Sequence, residues 1–334
     1  MNYYQILRLN SLVKSERLKI LGVGVLFLFK KRFLNLFLDP VLVCNFRCMM
    51  CYFSDPEYKP NKERLSQDNL SLVAKNFFKH AMRLQIGCGA EPTLYKYNEE
   101  LVRLAKQFGV PYISFTTNGS LLTFEKVEAL AQAGLDEMII SMHGTSKEVY
   151  ETMMPGASFE TLHEVFSAIS KVKATHPKLK LRINYTVNPD NLDDLHGLAQ
   201  YINDYNVDVL QIRPIRRLGN SAYSDFNIKR KQMEYTEIVD KLYNICHQKG
   251  VVTIITGKLP DEILYRKRLD IAKYTYCYIS PVHFGNKEFV PNNQSYYKYL
   301  KRSGFFSGIL KDVFMTRNYR YADSVSFANY DVNM

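Results

Sequence analysis

The chain has 334 residues, 46% of them hydrophobic, which is enough to bury a large core and excludes a disordered or low-complexity protein. A formal charge of +11 favours anionic partners, whether nucleic acid, acidic lipid headgroups or a phosphorylated or carboxylated substrate. No aromatic-interleaved RNA-binding signature, zinc finger or DNA-reading basic helix accompanies that charge, so nucleic acid is not expected among the partners.

Residues 1–34 stand apart as a basic and apolar segment. Ile20 to Phe29 reads ILGVGVLFLF, with Lys14, Arg17 and Lys19 before it and Lys30, Lys31 and Arg32 directly after. No small-residue cleavage site follows, which argues against a signal peptide, and ten apolar residues are too few to span a bilayer. Two readings stay open. The segment is an interfacial anchor, with Leu and Phe at the headgroup boundary and Arg8 and the other bases near acidic lipid, or it is a helix packed on the rest of the protein.

From Leu36 to about residue 250, short apolar runs alternate with longer amphipathic ones, the pattern of repeated βα units and a mostly parallel sheet. Strands are predicted at Leu36 to Val43, Arg83 to Cys88, Tyr112 to Thr117, Asp136 to Met142, Lys180 to Val187 and Val207 to Arg213. Ser66, Thr123 and Ser158 are predicted helix N-caps, and Gly109 and Gly134 sit where helices should stop. Period two along the fifth strand puts Lys180, Arg182, Asn184 and Thr186 on one face and Leu181, Ile183, Tyr185 and Val187 on the other. Helices covering the outside demand apolar contacts, so the polar face should turn inward, together with Gln211 and Arg213, Ser141 and His143, and Ser114, Thr116 and Asn118. Such an interior is a wet cavity for a polar ligand, with chemistry expected at the C-terminal strand ends.

Directly after the first predicted strand stands Cys44-Asn-Phe-Arg-Cys48-Met-Met-Cys51, half of the chain's cysteines within eight residues. Three thiolates on one loop suit an iron–sulfur cluster with one open iron, whereas a structural zinc needs a fourth ligand and none follows nearby. Clustered cysteines of this kind also point to a reducing cytoplasm rather than to disulfides. This CxxxCxxC run and its setting resemble the radical S-adenosylmethionine (radical SAM) enzymes, and the resemblance covers about Leu36 to Arg217. It implies a partial (β/α)6 barrel over residues 35–250, with one 4Fe-4S cluster on Cys44, Cys48 and Cys51 and S-adenosylmethionine (SAM) bound at the open iron. One electron through the cluster would then give a 5′-deoxyadenosyl radical that takes hydrogen from the substrate, with a flavodoxin or ferredoxin as donor.

Further segments match the family position by position. Gly87-Cys-Gly-Ala-Glu-Pro-Thr93 resembles the family's GGEP run, so Gly89, Ala90 and Glu91 inherit contacts to the SAM amino group; Ala90 replaces a glycine and would crowd the ligand if its backbone needed positive φ. Thr116-Thr-Asn-Gly119 looks like the family's third-strand TNG segment, and Ser141 matches the residue that contacts the ribose or methionyl part of SAM. Met153 stands near where relatives carry an Arg for the SAM carboxylate, a task that passes to Arg182 or Arg213; Asn184 joins the same polar face. His143, where many relatives have Asp, is a candidate catalytic residue. Arg213, Arg216 and Arg217 crowd the exit of the sixth strand, suited to a phosphate or carboxylate on the substrate.

Residues 251–334 differ in composition and are rich in tyrosine. Cys277 to Pro291 looks like the opening hairpin of a SPASM or twitch extension, with Asn292 and Asn293 where a cysteine would follow. Cys88, Cys246 and Cys277 are scattered and supply no ligand set for a second cluster, so a small α+β extension without auxiliary cluster ligands is expected. The resemblance implies a peptide or protein substrate; a membrane-associated anionic envelope or lipid-linked precursor is the alternative, and a non-enzymatic metal-binding module a remote third.

Overall fold

The alternation of strand and helix builds one parallel sheet, in a computed structural model that describes residues 10, 12–215, 221–223, 229–256, 259, 271–285 and 295–315. Its strands are β1 (Leu34–Leu38), β2 (Ala81–Ile86), β3 (Ile113–Thr117), β4 (Glu137–Met142), β5 (Lys180–Val187), β6 (Val209–Pro214), β7 (Val252–Ile255) and β8 (Tyr276–Ile279). They lie in the order β7-β6-β5-β4-β3-β2-β1-β8, and every neighbouring pair is parallel. Between them run α2 (Gln67–Phe77), α3 (Asn98–Gln107), α4 (Phe124–Ala133), α5 (Lys147–Met153), α6 (Phe159–Thr175), α7 (Leu198–Asp204) and α8 (Gln232–Lys249), while α1 (Glu16–Leu28) precedes the sheet. This is the α/β partial barrel that the sequence predicts. Arg8, Arg216, Arg217, Asn292, Asn293 and the rest of 286–294 lie outside the described residues.

Local signals fix the element ends. Ser66, Thr123 and Ser158 accept hydrogen bonds from Asn69 (3.2 Å), Lys126 (3.4 Å) and Thr161 (3.2 Å), and the chain reverses at Gly109 and Gly134 with φ of 72° and 103°. The first strand stops at Leu38 rather than Val43, because Asp39-Pro40 turns the chain out of the sheet and proline offers no N–H to a ladder. Residues after Gly250 do not all stand outside the sheet. Val252–Ile255 adds an edge beside β6 and Tyr276–Ile279 adds the other edge beside β1; the short helix α9 (Ala272–Thr275) leads into β8, and α10 (Tyr296–Arg302) and α11 (Phe305–Phe314) follow it. Cys277 therefore sits in a parallel strand opposite Leu36.

The two faces of the sheet differ as the period-two pattern requires. Leu36, Leu84, Phe115, Ile140, Ile183 and Leu210 face outward into one apolar core with the helices. Inward, Arg83 donates to Gln85 (2.8 Å) and Ser114 (3.1 Å), and Arg182 donates to Asn184 (2.8 Å) and Gln211, with the fully buried Glu137 carboxylate 4.0 Å away. Arg32 is not a surface base of the N-terminal segment: its guanidinium donates to the carbonyls of Phe78 (2.6 Å) and Phe108 (2.7 Å), which need a donor where α2 and α3 give way to strands.

Carboxylates at the N-terminal strand ends serve stability. Asp136 accepts from Ile113 N–H (2.7 Å) and Lys106 (2.6 Å), and Asp208 accepts from Leu181 N–H (2.7 Å) and from Lys173, an ammonium only 5% exposed that also reaches the Asn206 carbonyl. Asp208 is one-third exposed and keeps its backbone donor, so Lys173→Ala should cost about 2 kcal/mol, below the range for a fully buried pair. A urea unfolding curve reads that loss.

Candidate active site

Past Asp39 the chain crosses the C-terminal ends of the strands and brings the three cysteines with it. Cys51 N–H donates to the Cys48 carbonyl (2.9 Å) and Ser54 to the Cys51 carbonyl (2.7 Å), closing a tight turn around the second and third thiols. Other strand ends hold this loop in place: Glu91 N–H donates to Val43 (3.0 Å), Met49 N–H to Met153 (3.0 Å), Arg47 N–H to Pro155 (3.0 Å), and the Asn118 amide to Asn45 Oδ1 (2.9 Å). Phe46 N–H points at Cys44 Sγ (3.4 Å), and Asn118 Nδ2 lies 4.0 Å from the same sulfur.

The donor set fits a cluster better than a single ion. All three cysteines are unpaired thiols of intermediate exposure, and among the described residues no group of three His, Cys, Asp or Glu side chains closes on a single-ion site, which structural zinc requires. Three thiols that each take their own iron are what a cubane needs. Burial pushes Cys44 up to about 11 and raises Cys48 and Cys51, so these thiols keep their protons until a metal displaces them. Cys88, Cys246 and Cys277 lie respectively in the loop after β2, on α8 and on β8.

The loop from Gly87 to Thr93 is built around two buried carboxylates. Glu91 is 2% exposed and accepts from Thr93 N–H (3.0 Å), Thr93 Oγ1 (2.6 Å), Thr117 Oγ1 (2.6 Å) and Asn118 N–H (2.8 Å). Four protein donors engage that carboxylate, and the Gly89 backbone beside it is engaged as well, its N–H by Asp39 and its carbonyl by the Tyr52 hydroxyl. Ala90 is not at positive φ; the left-handed residue is Gly87, at φ 80°, where a Cβ would stand 2.3 Å from the Thr116 carbonyl and 2.7 Å from Pro92. The substitution at position 90 thus carries no backbone strain.

Asp39 is a site residue that the sequence reading missed. It is 1% exposed and accepts from Cys88 N–H (2.6 Å), Gly89 N–H (3.0 Å) and the Tyr278 hydroxyl (2.8 Å), tying β1, the loop after β2 and β8 into one unit. Burial raises its carboxyl to about 6 against the pull of those donors. Tyr52, next to the last cysteine, donates to the Gly89 carbonyl and was missed as well. The available signal was an acid ending the apolar run Leu34 to Leu38.

At the C-terminal ends of β4, β5 and β6, His143 and Arg213 meet at Thr186. Thr186 N–H donates to His143 Nδ1 (3.3 Å) and Arg213 Nε to Thr186 Oγ1 (3.3 Å). Burial, with Arg213 nearby, drops the imidazole to about 3, so His143 is neutral at physiological pH and offers an Nε2–H. Ser141 pairs in register with Asn184, and Asn184 with Gln211. Arg182 spends its guanidinium on Glu137, Asn184 and Gln211, while Arg213 is half-buried and lies nearer the strand ends. Met153 is buried, with Asn188 Nδ2 (3.4 Å) and the Tyr223 hydroxyl (3.6 Å) against its sulfur.

Two substitutions test this framework by stability alone. Gly87→Ala must move the Thr116 carbonyl and should cost at least about 2 kcal/mol. Asp39→Ala strands two amides and a phenol in a buried site and should cost about 2–3 kcal/mol. Denaturant midpoints near the wild-type value for both would show that the loop is not held as described.

Residues 39–202 match the Radical SAM superfamily. The GTP 3′,8-cyclase of Limosilactobacillus fermentum is 31% identical over 216 residues, covering 62% of this chain and 60% of that protein. A probable GTP 3′,8-cyclase of Saccharolobus islandicus is 31% identical over 201 residues, covering 58% of this chain and 62% of its own length, so the chain spans about three-fifths of these curated relatives. In fold, the chain is similar to Streptococcus suis SuiB bound to S-adenosylmethionine, with a TM-score of 0.60 at 16% identity over 82% of this chain and 66% of that one; SuiB has also been solved bound to the precursor peptide SuiA. The matched region runs from the exit of β1 to α7 and contains the three cysteines, the 87–93 loop, Asn118, Ser141, His143, Arg182 and Asn184, so the similarity to the Radical SAM superfamily falls on the strand ends described above.

Proposed function

We propose that this protein is a radical SAM enzyme that holds one 4Fe-4S cluster on Cys44, Cys48 and Cys51, binds SAM over the C-terminal ends of β2 to β6, and modifies a peptide. The observation that carries the reading is the junction of three thiols on a single loop with a polar-lined barrel beneath them. When bound, the cluster supplies the single electron that cleaves the sulfonium bond of SAM. The chain's own residues bind and orient. Gly89 and Ala90 offer backbone to the SAM amino group, Ser141 and Asn184 face the nucleoside, and Arg213 takes the carboxylate. Asn118 and Glu91 keep the cluster loop and the SAM loop at fixed separation, and His143 donates from Nε2 without exchanging a proton near neutral pH. An external one-electron donor of the flavodoxin or ferredoxin kind completes the scheme, and Cys88, Cys246 and Cys277 hold no second cluster.

The peptide reading is supported by the likeness in fold to SuiB. A second reading, an anionic small molecule such as a nucleotide, is favoured by Arg213 at the barrel mouth and by relatives named GTP 3′,8-cyclase.

Anaerobic reconstitution should give about four irons per chain, lost when Cys44, Cys48 and Cys51 are changed together to Ala. Retention of a full iron complement in that variant, or a second complement in the wild type, would overturn the ligand set. With SAM and dithionite the protein should release 5′-deoxyadenosine, and Ser141→Ala should weaken SAM binding several-fold with iron retained. Acceleration of that release by GTP, with a new nucleotide product, would transfer the substrate assignment to the second reading.

A further inference from the structure

The helices α1 and α11 pack on each other and, among the described residues, leave a second apolar face exposed. Gly24 lets α11 approach closely, since a Cβ there would lie 3.3 Å from Ile309 Cγ2. Three residues later Phe27 meets Phe305 and Phe306 at ring distances of 4.9 and 6.5 Å, so the two helices run antiparallel. Ile20, Val23, Phe27, Ile309 and Val313 are buried in this contact and against the body of the protein.

The opposite face of α1 is equally apolar. Leu18, Leu21, Val25, Leu28 and Phe29 are exposed, Leu28 by 54% and Phe29 by 71%, and α11 adds Leu310, Phe314 and Met315, the last two by 71% and 77%. A helix apolar all round has one face too many for a globular surface. Its 13 residues reach roughly 20 Å, and no helix among the described residues is long and apolar enough to cross a membrane. Charge frames the patch. Lys14, Arg17, Lys30, Lys31, Lys301, Arg302 and Lys311 are exposed around it, while the acids of these segments, Glu16 and Asp312, are turned to Lys19 and Ile271 and to Lys273 and Tyr274.

We propose that α1 and α11 together form a plate that seats the protein on an anionic bilayer surface, with the apolar side chains at the headgroup boundary and the flanking bases against acidic headgroups. Basic residues beside a lipid-facing apolar strip complement such a surface, whereas a second protein copy would bring the same positive charge against itself. The seating is independent of the chemistry at the cysteines and survives if that reading fails.

The full chain should co-sediment with phosphatidylcholine vesicles containing phosphatidylglycerol, less with phosphatidylcholine alone, and less as salt rises. Leu21→Gln, Leu28→Gln and Phe314→Gln combined should weaken that binding about tenfold or more while circular dichroism and the melting temperature stay near wild type. Lys30→Glu with Lys31→Glu should remove the preference for anionic vesicles. Absence of wild-type co-sedimentation, undiminished recovery of the triple Gln variant, or a lipid-independent dimer that the same substitutions dissociate would each overturn the proposal.

Discussion

The carboxylate of Glu91 holds together the end of the sheet where the cysteines stand. An acid this deeply buried is tolerable only with donors on both oxygens, and Thr93, Thr117 and Asn118 supply four. Meeting that demand fixes the loop after β2 to the end of β3, while the Glu91 N–H reaches Val43 and fixes the same loop to the cysteine segment. Asn118, held at its backbone by Glu91, extends the arrangement to Asn45 and Cys44 through its side chain. Asp39 repeats the device on the other side, against Cys88, Gly89 and Tyr278.

A parallel sheet is ordinarily apolar on both faces. Here the inner face carries Arg83, Gln85, Glu137, Arg182, Asn184 and Gln211, satisfied mainly by one another. Such a lining puts a buried network of polar groups, rather than a dry core, on the inner face of the sheet, at the expense of apolar packing. The half of the barrel near the strand N-termini is made rigid by ion pairs such as Lys173 with Asp208, and the half near the C-termini is left to loops.

The helices α1 and α11 bury one apolar face each in the body of the protein. Phe27, Phe33, Phe305 and Tyr274 form an aromatic seam that packs the last helices against the start of the sheet. Arg32 caps carbonyls beneath β2, so the basic run after α1 divides between an internal cap and two exposed lysines. This contact joins α11 to the apolar helix of the N-terminal segment.

What the sequence determined was local. Period-two alternation identified β5 to the residue, the caps at Ser66, Thr123 and Ser158 follow from short side chains that reach their own backbone, and the cysteine spacing singled out the loop that crosses the strand ends without any fold. The inward turn of Arg182, Asn184 and Gln211 was legible too, because helices on the outside leave polar residues one direction to face. Tertiary structure alone decided the rest. β7 and β8 are only four residues each, too short for a periodic signal, and their places beside β6 and β1 come from the open sheet edges they cover. The roles of Asp39, Tyr278 and Arg32, the donors around Glu91 and the partners of Arg182 all depend on groups far away in sequence; Tyr278 lies 239 residues from Asp39. A hydrogen-bond donor's spatial neighbours are set by how strands pair, and strand pairing is written in no single segment.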